Sequence, residues 1–470
     1  MAANTWSSLA STDANTAGNW SAGWVPKDGD TMTMDATSVV DCILSGDIAT
    51  ANGVDGISIA NAYTGTLNLN SNNLDSDGNV SIGTGATLTS DGTLAILYCA
   101  GDFTKVSGGN AITSDVQILM NGTGTLTCNG VSGGTLVNNS AGTITVGDAQ
   151  LWSSWTNTLG TYTGGAFAHT IVGDIVRTAG TCTTATGAWT QTGTGALKWA
   201  STTTGQYPAD LQANGSGTIT DTYFATKKLS GNGTVTGAGT GYLYIVTIAA
   251  ADIWSFTGTC ACPVSILTTA TTASTTAALT LQGKDLTVVR ASGTGGLVVG
   301  AAVNLKGAAA TAGSLLISAT SGTVTTFDMV NYGLTANNVT LGRTNNVAFD
   351  FGTGSHNIAG AIAAGAVGAG TIALNFGSSK IVLGTGGTID GSNITATSDA
   401  AIVNPMVSVV GGTVQDVIYE AGKTLNCSGG YTKDGGGNTT GEFWFGSCAE
   451  RWHPAAIRER SWGFMAGTRR

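Results

Sequence analysis

The sequence predicts an all-β fold: a right-handed parallel β-helix, or solenoid, with a Trp-rich N-terminal cap and a short basic C-terminal tail of partly helical character. Three observations predict it. Short runs alternating apolar and polar residues recur, bounded by Gly and Asn: GISIAN (Gly56 to Asn61), GTLNLN (Gly65 to Asn70), NVSIG (Asn79 to Gly83), GTLTCNG (Gly124 to Gly130), GTITVG (Gly142 to Gly147), LTVVR (Leu286 to Arg290) and SKIVLG (Ser379 to Gly384). Successive residues of a strand point to opposite faces, so each run reads as a short strand with turn residues at its ends. Almost no segment before residue 449 carries helical periodicity. Hydrophobic residues make up 42% and charged residues only 10%, against about 25% charged in ordinary globular proteins, so the chain has a core to bury and little charge to display.

A GTL start recurs at Gly65, Gly92, Gly124 and Gly134, which suits coils of about 20–30 residues with variable loops. Separate β-sandwiches are the competing architecture, but they call for linkers, and no Pro-rich or charged linker is visible. About 15 coils would account for the 470 residues, each advancing roughly 4.8 Å.

Taken in order, residues 1–45 hold Trp6, Trp20 and Trp24. An open solenoid end leaves an unpaired edge over a bare core. Tryptophan buries much area and can donate its indole N–H to a backbone carbonyl, so these three are expected to cap the first coil or attach the chain. A sugar-binding platform is the competing role. Residues 46–150 read as solenoid. Residues 151–245 are richer in aromatics, including Trp152, Trp155, Trp189 and Trp199, and read as an inserted subdomain, an oligomer contact or a glycan-binding face, though core is the default for any single Trp. Residues 246–447 resume the solenoid. Residues 448–470 lack the Thr/Asn style; Pro454 can open a short helix, and Arg458, Arg460, Trp462 and Arg470 make the segment basic and adhesive.

The order TW…NTAGNWSAGWVPKDGDTMTMD…CIL followed by GTLNL, and the later phrase GTIALNFGSSKIVLGTGGTI (Gly370 to Ile389), resemble β-strand-repeat proteins of tailed-phage virions and bacterial surface passenger domains. The resemblance covers about the first 90 residues and a 20-residue patch. It implies an extended, oligomeric structural or adhesive protein and carries over no catalytic residue.

The net charge of −10 opposes a phosphate-binding surface, so nucleic acid is not an expected partner. The opening MAANTWSSLASTDAN has neither the basic nor the apolar region of a secretory leader. Ile358 to Leu374 is uncharged but mostly Ala and Gly, which reads as strands and turns, so membrane insertion is not expected. The eight cysteines form no CxxC pair and read mainly as small buried hydrophobes in a reducing compartment. Glycoside hydrolysis needs two carboxylates flanking a cleft, whereas the aspartates here sit mostly beside Gly or in turns. Asn73 to Asn79, NLDSDGN, imitates the start of a calcium loop, but its twelfth position is Thr84 where a bidentate carboxylate is required. Asp75 and Asp77 therefore stand only as a weak structural-calcium candidate, and no other cofactor is expected.

The expectation is a non-catalytic structural virion protein of a tailed bacteriophage (fibre, spike or capsid decoration), assembled in the host cytoplasm. It would be a homotrimer, attached to capsid or tail proteins and touching host surface polysaccharide. The alternatives are a secreted adhesin or extracellular fibre subunit at the cell surface, and a polysaccharide depolymerase.

Overall fold

The computed structural model describes residues 2–383, apart from short loop segments (8–10, 39, 49–51, 108–110, 131–132, 184–186, 202, 204, 248–251, 270–271, 292–295, 321–324, 343, 366–371 and 376–378), and beyond these only short strands, the last being Glu450–Trp452. The chain is nearly all β, with parallel strands stacked as a β-solenoid of about 14 turns. No α-helix occurs among the described residues; the one helical turn is the 3-10 segment Ala17–Asn19. The chain forms two compact units, Met1–Thr226 and Lys227–Arg470.

In the first unit, alternation becomes burial. Ala95–Cys99 and Val116–Met120 each bury every second side chain. In-register pairing then stacks those buried residues into one inward column: Leu74, Leu97, Ile118, Leu136, Trp155, Ile175, Leu197 and Ile219. All eight are fully buried. Register is strict because a slip of one residue would turn the whole column to solvent. The second unit repeats the device with Ile245, Ile266, Val288, Ile317 and Leu341, and on another face with Leu297, Phe327, Phe349 and Leu374.

Corners satisfy the backbone where strands end. Asp41 accepts from the Thr66 N–H at 2.7 Å, Asn79 from Asp102 at 2.8 Å, Asp102 from Thr125 at 2.7 Å, and Asp174 from Ala196 at 2.7 Å. In the second unit Asp285 accepts from Ser314 at 2.7 Å and Asn338 from Ala361 at 2.8 Å. Each bond spans one coil, so the short acidic and amide side chains tie successive turns together. Close corners also require glycine. Gly160 has φ +65° and Gly180 φ +73°, and a Cβ on Gly160 would run into the Ser140 carbonyl oxygen.

The GTL starts at Gly124 and Gly134 fall on two faces of the winding: Gly124 pairs with Ile144, while the strand Gly133–Asn138 pairs with Gln150–Asn157. The stretch from residue 151 to the end of the first unit is not an inserted subdomain. Its strands extend the same parallel ladders, from Gln150–Asn157 through His169–Ile171 and Ala188–Gln191 to Asp210–Ala213, and through Ile175–Arg177 and Thr194–Trp199 to Ser216–Thr226. At the other end, Glu450–Trp452 pairs antiparallel with Glu442–Phe445; the expected helix from Pro454 lies outside the described residues.

Candidate functional site

The aromatic residues expected to bind glycan are core instead. Trp152, Trp155, Trp189 and Trp199 are at most 1% exposed, which leaves no ring face for a sugar. Trp152 and Trp155 are three residues apart, so one should point out of a straight strand. Gln150–Asn157 bends: Ser153 and Ser154 are both half-buried, and the pieces on either side pair with different strands, His169–Ile171 and Ile175–Arg177. The bend resets the alternation, and both indoles turn inward. Trp155 lies stacked on Trp199 at 5.2 Å and edge-on to Trp189 at 4.7 Å and Tyr162 at 5.2 Å. His169 completes the cluster 4.3 Å from Trp189. Burial lowers the His169 pKa to about 4, opposed by the Gly164 backbone, so the ring is neutral near pH 7.

The three N-terminal tryptophans divide. Trp6 and Trp20 are buried edge-to-face at 5.1 Å, and their indoles donate to the Val40 carbonyl at 3.2 Å and the Ala14 carbonyl at 2.7 Å. Trp24 is 44% exposed; it donates to the Asp30 carboxylate at 2.8 Å and carries the Lys27 ammonium 5.4 Å from its ring centroid. Trp6 and Trp20 therefore belong to the core, whereas Trp24 lies nearer the surface. Arg458, Arg460, Trp462 and Arg470 lie outside the described residues.

Six cysteines are described, all free and buried. Burial raises the Cys99 thiol to about 12 and pushes Cys42, Cys128 and Cys182 well up. Cys260 and Cys262, two residues apart, face the same way, with sulfurs 3.7 Å apart. His356 accepts from the Leu334 N–H at Nδ1 (3.2 Å), so its Nε2–H donates to the Phe351 carbonyl at 3.0 Å. Burial lowers its pKa to about 4 as well. Lys105 is also buried, its ammonium donating to the Gly83 carbonyl at 2.8 Å. These groups are enclosed by core.

Asp75 stands apart. It lies on Leu74–Ile82, and pairing places it beside Tyr98 on the next coil. With Ile48, Asn73 and Asn121 these residues line a recess of about 300 Å3. Asp75 Oδ1 is shut off from solvent and has no hydrogen-bond partner. Burial, and then the charge of Asp77, raise the Asp75 pKa above the usual carboxylate range. Asp77 is exposed, and no group of three or more His, Cys, Asp or Glu is gathered for a metal among the described residues. The calcium candidate therefore comes down to two carboxylates of unlike setting. Asn73 lies in the quoted NLDSDGN stretch, but Tyr98 and Asn121 were not legible as its companions, because they lie on the following coils and only the ladder register brings them alongside.

Comparison with family models, with curated proteins and with solved structures returns no match.

Proposed function

We propose that this protein is a structural, surface-contacting component of a tailed-phage particle (a fibre, spike or decoration protein) whose work is mechanical and adhesive. One observation carries the reading: the polar side chains are used to bind coil to coil. Asp41, Asp102, Asp174 and Asp285 accept backbone N–H bonds from residues one coil away. Six free buried thiols suit assembly in a reducing compartment. Parallel edges and half-buried outward faces suit a homotrimer in which copies shield one another. The outward recess at Asp75 and Tyr98 suits contact with a host surface polysaccharide.

The test is placement. Particles are banded by density from an induced culture and probed with an antibody raised against the recombinant chain, by immunoblot and gold labelling. The chain should co-purify with particles and label one particle structure. Finding it in the secreted or cell-surface fraction, and absent from particles, would favour the adhesin. Light scattering on the purified protein should give three times the 46.8 kDa chain mass; a monomer would remove the trimer.

A further inference from the structure

We infer that the recess lined by Asp75, Tyr98, Asn73 and Asn121 is a binding subsite for one uncharged pyranose ring. The inference deepens the glycan-contacting part of the proposed function and rests on it only for the choice of polysaccharide as the source of that ring.

The composition of the recess selects the ligand. It holds one aromatic ring, one carboxylate and two carboxamides, with Ile48 as its apolar floor. It holds no Lys, Arg or His, so nothing in it neutralises an anion, and phosphates, uronic acids and sialic acids are disfavoured. Its volume of about 300 Å3 is at the low end for ligand clefts, enough for one sugar ring rather than a chain. Tyr98 offers the C–H face of a pyranose a flat apolar partner.

The polar groups are available as well. Asp75 brings a carboxylate to the wall of the recess, and a carboxylate there is best met by a donor. A sugar hydroxyl is such a donor. Asn73 Oδ1 already accepts from the Ile96 N–H at 3.3 Å, so its amide N–H groups are left to donate to a sugar oxygen. Asn121 is exposed, and only its backbone is tied, donating to the Cys99 carbonyl at 3.0 Å. A calcium ion would want six to eight oxygens, which Asp75 and two carboxamides do not supply.

The recess is rigidly built. Ile48 bridges to Leu74, and its N–H donates to the Asn73 carbonyl at 3.0 Å. Tyr98 is fixed on a strand paired on both sides, to Leu74–Ile82 and to Val116–Met120. Little ordering is left for the ligand to impose, which favours binding.

The test uses the full chain and saturation-transfer NMR with methyl α-glucopyranoside, methyl β-galactopyranoside, N-acetylglucosamine and glucuronate. At least one neutral pyranoside should bind, with transfer strongest on the protons of one ring face, and glucuronate should not. Tyr98→Ala and the isosteric Asp75→Asn should each weaken binding at least about tenfold while leaving the thermal midpoint unchanged. No signal from any neutral pyranoside overturns the inference. Binding kept in both variants overturns it too, placing recognition elsewhere and leaving the proposed function standing. A calcium-dependent rise in midpoint that Asp75→Asn abolishes, without sugar binding, would make the recess a cation site. Loss of particle localisation would sink the proposed function without touching a sugar titration.

Discussion

Acidification should destabilise each unit through one buried histidine. His169 in the first unit and His356 in the second are at most 1% exposed, and burial lowers each pKa from 6.5 to about 4. The unfolded chain takes up a proton near pH 6.5, while the folded chain refuses it until about pH 4. Between those values the unfolded state binds more protons, so stability falls as pH falls. It is intact above 6.5 and has lost the full contribution below about 4. At about 1.4 kcal/mol per tenfold, each histidine contributes about 3 kcal/mol over that window. Neither ring is exposed enough for solvent screening to reduce this. Carboxylates held low by hydrogen bonds, such as Asp13 and Asp35, lose their contribution only as pH falls through and below the ordinary carboxylate range, so the two effects separate. The assay is urea unfolding at half-unit steps from pH 7.5 to 4.5, followed by tryptophan fluorescence. Trp189 and Trp155 report on the surroundings of His169, and Trp254 on the second unit. His169→Phe should flatten the first unit's pH slope and leave the second unchanged. A stability that varies by less than about 1 kcal/mol between pH 7 and 5, or a slope that His169→Phe does not alter, would refute the reasoning.

Trp155→Ala removes the ring at the centre of the aromatic cluster and should cost about 3–5 kcal/mol in denaturant unfolding; a cost below about 1 kcal/mol would mean the ring is not core. Gly160→Ala meets both a positive φ and the Ser140 carbonyl, whereas Gly23→Ala meets only the positive φ with nothing within 4 Å, so Gly160→Ala should lower the thermal midpoint more. The Gly23 change alone should cost about 1–2 kcal/mol, and equal costs would dismiss the stacked-corner account. In native protein a thiol reagent such as DTNB should titrate at most Cys427 and Cys448 at neutral pH, because the other six are buried, and denaturation should release all eight. Rapid native reaction of three or more would contradict the burial.

Much of the local structure was legible. GTITVG contains the strand Thr143–Val146, LTVVR is the strand Leu286–Arg290, and SKIVLG contains Lys380–Leu383. These are decided by neighbours two residues apart, which share a face whatever the chain does elsewhere. The parity of Trp152 and Trp155 was not legible, because it turns on the bend at Ser153 and Ser154, and no apolar pattern marks that bend. The recess was equally hidden. Asp75 drew notice beside Asp77, its neighbour in sequence, whereas strand pairing sets it beside Tyr98 on the next coil.

The sequence alone therefore determined the secondary structure, the all-β class and the stacking style, since alternation, turn residues and low charge act over a few residues. The tertiary structure decided which residues meet. Coil lengths vary: equivalent inward residues are 18 apart from Ile118 to Leu136 but 29 apart from Leu286 to Leu315. With no constant period, vertical neighbours cannot be counted off along the chain. They are set by the ladder register, which is chosen by burying the whole inward column at once.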